Sequence, residues 1–111
     1  MAWHQLKPCN PLSTRECHQF SAVGELLYCY GGNDQNKRFG ADTGEVQVFN
    51  PATLTWGRLP LQRSNSNPGA RSAHGQCLIP GNKILVQGGW DGNAELNDVH
   101  VLDIGKLRTG R

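Results

Sequence analysis

The sequence is short of what large apolar cores are made from. Of its 111 residues, Leu, Ile, Val and Phe supply 24, aromatic residues make up 7%, and there is one Met. That is little above the roughly one-fifth aliphatic and Phe content below which chains stay disordered, so any core is thin. No apolar run reaches the ~18 residues of a membrane span, and Met1–Pro8 lacks the apolar stretch of a secretory signal. The expectation is a cytoplasmic or nuclear location and no membrane partner. A charge excess is missing too: 11 basic residues face 9 acidic ones without a clustered Lys/Arg face, which argues against nucleic acid as a partner. Cys9, Cys17, Cys29 and Cys77 contain no Cys-x-x-Cys pair, and there is no Asn-x-Ser/Thr acceptor. Free thiols are expected, with neither a disulfide framework nor a zinc site. Walker loops, dinucleotide fingerprints and Gly-x-Ser-x-Gly elbows are likewise absent, and no cofactor is expected.

What is abundant is punctuation. Fourteen Gly, six Pro and nine Asn place a turn signal every few residues, which disfavours long helices and suits an all-β chain of short strands. The chain also matches itself. Arg15 and His18 recur as Arg71 and His74, and Leu26–Tyr30 followed by Gly31-Gly32 recurs as Ile84–Gln87 followed by Gly88-Gly89. Val46–Asn50 recurs as Val99–Asp103, and Trp3 as Trp56. Four signals in one order, with length differences confined to Gly/Asn/Pro-rich connections, mark a structural repeat.

Each unit reads as four strands of an antiparallel meander. The first strands are expected at 18–23 and 74–79, the second at 26–31 and 83–88, and the third at 45–50 and 98–104. The Trp-bearing fourth strands are expected at 55–59 and, at the start of the chain, 2–6. The short turns are Gly24-Glu25, Pro80-Gly81-Asn82 and Asn50-Pro51-Ala52-Thr53. A basic-x-x-His strand, an apolar strand ending in Gly-Gly, the segment Asn97-Asp98-Val99-His100-Val101-Leu102-Asp103 and a following Trp together resemble the kelch repeat over residues 2–104. The resemblance implies blades of a β-propeller. Residues 1–6 then form the outer strand of a neighbouring or ring-closing blade, 7–59 the first repeat, 60–104 a second lacking its last strand, and 105–111 a tail. Two blades leave two faces uncovered, so the expectation is part of a larger propeller, or self-association of short chains.

The long connections, 7–15, 33–44, 60–71 and 90–97, emerge at one end of the blades. Long loops on a rigid scaffold are where function concentrates. Lys37, Arg38, Phe39, Arg71, Trp90 and Asp91 are the candidate partner contacts there, because Arg and aromatics anchor interfaces. Arg71 recurs as Arg15, which argues equally for a role in bonding loop carbonyls. Trp3, Trp56, His18, His74, Gly31, Gly32, Gly88 and Gly89 recur and are read as architecture. Asp91–Asn97 starts like a calcium loop but has Leu96 and Leu102 where Gly and Glu are needed, so a turn is the better reading. The family resemblance implies a non-catalytic module binding protein partners, as cytoskeletal or trafficking scaffolds and ubiquitin-ligase substrate receptors do. An inactive truncated propeller is the alternative. Kelch-type oxidases and specifier proteins form a third class, but Tyr28 and Tyr30 are expected far from any loop end.

Overall fold

A computed structural model of the chain describes residues 1–9, 15–34, 38, 46–59 and 68–104. Among the described residues seven strands run in order: β1 (Glu16–Val23), β2 (Leu26–Asn33), β3 (Gln47–Asn50), β4 (Thr55–Arg58), β5 (Gly75–Ile79), β6 (Lys83–Trp90) and β7 (Glu95–Asp103). They build two antiparallel sheets, β1-β2-β3-β4 and β5-β6-β7, each in sequence order. The architecture is all-β, with meandering sheets as kelch blades require.

Turn chemistry fixes the register. Val23 pairs with Leu26, leaving Gly24-Glu25 as a two-residue turn with Gly24 at φ 60°, which glycine adopts without Cβ cost. Ile79 pairs with Lys83 across Pro80-Gly81-Asn82, where Gly81 and Asn82 both take positive φ. Asn50 Oδ1 accepts the Ala52 N–H at 2.9 Å, closing the turn into β4 as an Asx turn. The strand β7 begins three residues before the expected position, because Trp90 already pairs with Glu95 across the loop.

The core lies between the sheets. Val23, Tyr28, Tyr30 and Val46 of the first pack with Ile84, Val86 and Ile104 of the second, and Leu26, Val48, Leu59 and Leu102 fill the margin. Alternation along the strands sends the intervening residues outward. On the first sheet this outward face carries Phe20, Phe49 and Trp56, with ring centroids 5.9 and 4.9 Å apart around the Trp. On the second, Val99 and Val101 stand 58% and 50% exposed.

One expectation is corrected. Residues 2–6 form no strand and Trp3 is fully exposed, so it does not pack as Trp56 does. Among the described residues a fourth strand forms where it pairs with a third, as β4 does with β3, and residues 2–6 pair with no strand. The amino-terminal segment meets the sheet at Cys9, whose N–H donates to Leu54 O and whose carbonyl accepts the Trp56 N–H, at 2.8 and 3.1 Å.

Candidate protein-interaction site

Antiparallel order brings residues 15, 33, 34, 38, 68–74 and 90–95 to one end of the two sheets. The base of that end is a polar frame. Arg15 Nη1 donates to Gly31 O at 3.1 Å, and Arg71 Nη1 donates to Gly88 O at 3.0 Å. The repeated arginines therefore do the same thing to the same glycine. Arg71 goes further: its Nε donates to Gly69 O at 3.1 Å, and Nη1 and Nη2 grip Asp98 Oδ1 and Oδ2 at 2.6 and 2.9 Å. Four of five guanidinium N–H groups are used, the residue is 2% exposed, and the Arg71 hydrogen bonds hold the Asp98 carboxyl well below the usual carboxylate range. Arg71, one of the expected partner contacts, is thus buried and turned inward, with four of its five N–H groups spent on the frame.

The glycines explain how closely the sheets approach. Gly31, at φ 77°, lies under the His74 imidazole; a Cβ there would run into that ring and sit 2.8 Å from Arg71 O. Gly32 and Gly89 press in the same way against His18 and His74 of their own sheets. Gly88 sits at an irregularity in β6–β7 pairing, where its carbonyl turns to Arg71. His74 is buried, stacks edge-on against Tyr30 at 5.2 Å and shares a 3.1 Å hydrogen bond with Gln76. Desolvation pulls its pKa below the ordinary histidine value. Tyr30, expected far from the loops, reaches them: its hydroxyl donates to Gly69 O at 2.8 Å.

Above this frame stand Arg38, Trp90 and Asp91; Trp90 takes the place of Asn33 in the first unit, while Asp91 recurs as Asp34. Asp91 Oδ1 accepts the N–H groups of Asn93 and Ala94, both at 2.8 Å, building the turn into β7. Those backbone donors hold its carboxyl below the usual range, with a smaller contribution from Arg38. The Arg38 backbone bridges Asn33, and its guanidinium lies over Gly92, where a Cβ would come within 2.8 Å of Nη1. Arg38 Nε is buried without a hydrogen-bond partner among the described residues. Trp90 exchanges two backbone hydrogen bonds with Ser72, at 2.9 and 3.0 Å, and the residue is 39% exposed. The structure thus brings Arg38, Trp90 and Asp91 to one end; Lys37 and Phe39 lie outside the described residues. Asp98, Tyr30 and Gln76 are framework residues that sequence reasoning passed over. Opposite charges at 71 and 98 were the one available signal.

Among the described residues no three His, Cys, Asp or Glu side chains gather where they could hold a metal ion. Cys9, Cys29 and Cys77 are free thiols, and burial pushes the Cys29 thiol up to about 11.

Residues 1–108 match the KLHDC2/KLHL20/DRC7 Kelch-repeats domain. The chain is 36% identical over 109 residues to an F-box/kelch-repeat protein of Arabidopsis thaliana, covering 94% of this chain and 22% of that protein. It is 29% identical over 108 residues to Kelch domain-containing protein 10 of Xenopus tropicalis, covering 92% and 26%. With the human Rab9 effector protein with kelch motifs it shares 31% over 91 residues, covering 80% and 23%. A Thlaspi arvense N-(sulfonatooxy)prop-2-enimidothioate sulfolyase is 28% identical over 89 residues. The chain spans about a quarter of the length of these curated relatives. With its two meandering sheets and their shared Arg–Gly and His–Gly contacts, the chain belongs to the kelch-repeat family.

Proposed function

We propose that this chain is a non-catalytic protein-binding module, in which the end carrying Arg38, Trp90 and Asp91 contacts a partner protein. The observation that carries this reading is the division of labour at that end. Repeated residues are tied inward, whereas Trp90 presents an indole from a backbone held on both sides by Ser72. A large ring on a fixed backbone loses little freedom on binding, which makes Trp an effective interface anchor. Arg38 and Asp91 beside it can pair with charges of either sign at the rim. Among the described residues the Arg71–Asp98 and His74–Gln76 pairs are engaged with one another and burial raises the Cys29 thiol, which supports a binding rather than a catalytic reading. The kelch-named relatives support a binding role, and the Rab9 effector among them is by its name a binding protein.

The test is site-specific crosslinking in the complete protein, with a benzophenone amino acid placed at Trp90 or, on the short-turn end, at Thr53. Crosslinks to partner proteins are expected from position 90. Crosslinks from position 53 alone overturn the choice of surface. Trp90→Ala is expected to weaken partner binding by about 2 kcal/mol while moving folding stability by less than about 0.5 kcal/mol.

A further inference from the structure

We propose that Asp91 is a covalent modification site, where the folded protein converts aspartate to isoaspartate through a succinimide closed by the Gly92 nitrogen, and that Arg38 restrains the step. The chemistry needs an aspartate whose following nitrogen is unshielded. Asp91-Gly92 is the one place in the sequence where Asp or Asn precedes Gly. Asp98 and Asp103 are followed by Val99 and Ile104, whose branched side chains crowd the attacking nitrogen.

The turn supplies the geometry. Residues 91–93 are exposed, and its hydrogen bonds pass over Gly92: the Asp91 N–H donates to Ala94 O at 3.3 Å, while Asp91 Oδ1 accepts from Asn93 and Ala94. The bond from Asn93 closes a small Asx ring that contains both Asp91 Cγ and the Gly92 nitrogen, so nucleophile and electrophile are held on one short loop of atoms. In the reaction the Gly92 nitrogen attacks Cγ and gives up its proton, and one carboxyl oxygen leaves as water. Water then opens the ring. Cleavage at Cγ restores aspartate; cleavage at the main-chain carbonyl leaves isoaspartate, with the backbone now running through Cβ and Cγ. One water is lost and one gained, and nothing is oxidised or reduced. Only the uncharged carboxyl releases that water readily. The backbone donors, and to a smaller degree Arg38, hold the carboxyl ionised, and the Arg38 guanidinium also lies over Gly92, so Arg38 slows the step by charge and by cover. Isoaspartate lengthens the main chain between Trp90 and β7, where Trp90 pairs with Glu95. That this reaches a partner rests on the contact proposed above; the modification itself does not.

The full chain is incubated near neutral pH in water enriched in heavy oxygen, with circular dichroism confirming the fold. Cleavage after Lys83 and Lys106 releases residues 84–106, which carry Asp91, Asp98 and Asp103 together, and electron-transfer fragmentation separates the isomers. Heavy oxygen and isoaspartate are expected at position 91, with positions 98 and 103 unchanged as internal controls. Arg38→Ala is expected to raise the rate at 91 several-fold; Arg38→Gln, which removes the charge and keeps a polar side chain, stands in if Arg38→Ala loses the fold. Conversion in urea with none in the folded chain overturns the proposal, as does equal conversion at 98 or 103. A folded Arg38 variant that reacts no faster than the parent overturns the part given to Arg38.

Discussion

Replacing Gly31 by Ala tests the packing of the two sheets at its tightest point. Gly31 sits at φ 77°, in the left-handed region where an L side chain costs about 1–2 kcal/mol. The added methyl has no room: it meets the His74 ring and lies 2.8 Å from Arg71 O and 3.0 Å from His74 Nδ1. The carbonyl cannot simply retreat, because it accepts the Gly32 N–H at 2.9 Å. Overpacking of this kind costs about 1–3 kcal/mol, and the entropy removed from the unfolded chain returns only about 0.4–1 kcal/mol. The expected loss is therefore about 2–4 kcal/mol, a large part of the ~5–15 kcal/mol that holds a small domain folded. Gly57 is the control, with nothing within 4 Å of its Cβ position and no positive φ. Gly57→Ala is expected to be neutral or stabilising by up to about 1 kcal/mol, since glycine weakens a strand interior. Urea unfolding of both variants reads the difference. Adding His74→Ala to Gly31→Ala removes the ring clash but not the backbone strain, so the pair should be less than additive by about 1 kcal/mol. If Gly31→Ala falls within about 0.5 kcal/mol of the parent, or matches Gly57→Ala, the close approach of His74 is wrong.

Other outcomes follow from the same frame. Arg71→Ala strips the Gly88 carbonyl of its donor, Gly69 O of one of its two and Asp98 of the guanidinium grip, and is expected to cost about 2–3 kcal/mol in urea unfolding, tempered by the half-exposed Asp98 carboxylate; Arg71→Lys, unable to grip both oxygens, should recover less than half. His74 has a folded pKa below its unfolded value, so the unfolded chain binds the proton more readily and stability is full above about pH 6.5 and falls as the pH drops below it. A thermal melt series from pH 7.5 to 5 should show that fall, and His74→Gln should flatten it; an unchanged profile refutes the assignment. Asp98 acts in a separate window, its stabilisation lost as the pH falls below the ordinary aspartate value near 3.8. A maleimide at pH 7.5 should label Cys9 and Cys77 rapidly and Cys29 only on unfolding, as mass spectrometry of the digest can read.

Local chemistry was legible in the sequence and long-range pairing was not. Gly24, Gly81 and Asn82 announce their turns because a positive φ selects them within two or three residues. Val46 and Val48 announce a half-buried strand because alternation is itself local. Trp3 misled for the complementary reason: it carries the pattern of a fourth strand, but a strand exists by virtue of the edge it pairs with, and its own sequence names no edge. Tyr30 was misplaced because its hydroxyl partner, Gly69, is 39 residues away. Arg71 shows the limit most sharply. Its charge suggested the surface and its recurrence suggested the frame, and only the carboxylate 27 residues on, brought in by the strand order, decides between them.

Recurrence carries more information once burial is laid beside it. Where both copies of a repeated residue make the same bond, as Arg15 and Arg71 do with Gly31 and Gly88, the residue builds the unit and its exposure is settled by the unit alone. Where two copies share chemistry but differ in exposure, as Val46 and Val99 do, the position belongs to the contact between units, which the buried copy makes here. A residue with no counterpart, such as Trp90 opposite Asn33, is required by neither, and the repeat gives it no reason to be a tryptophan. That indole stands on a backbone fixed by Ser72 at the end where the loops are longest. A ring so placed is the kind of apolar surface that a binding partner covers, and the proposed contact rests on it.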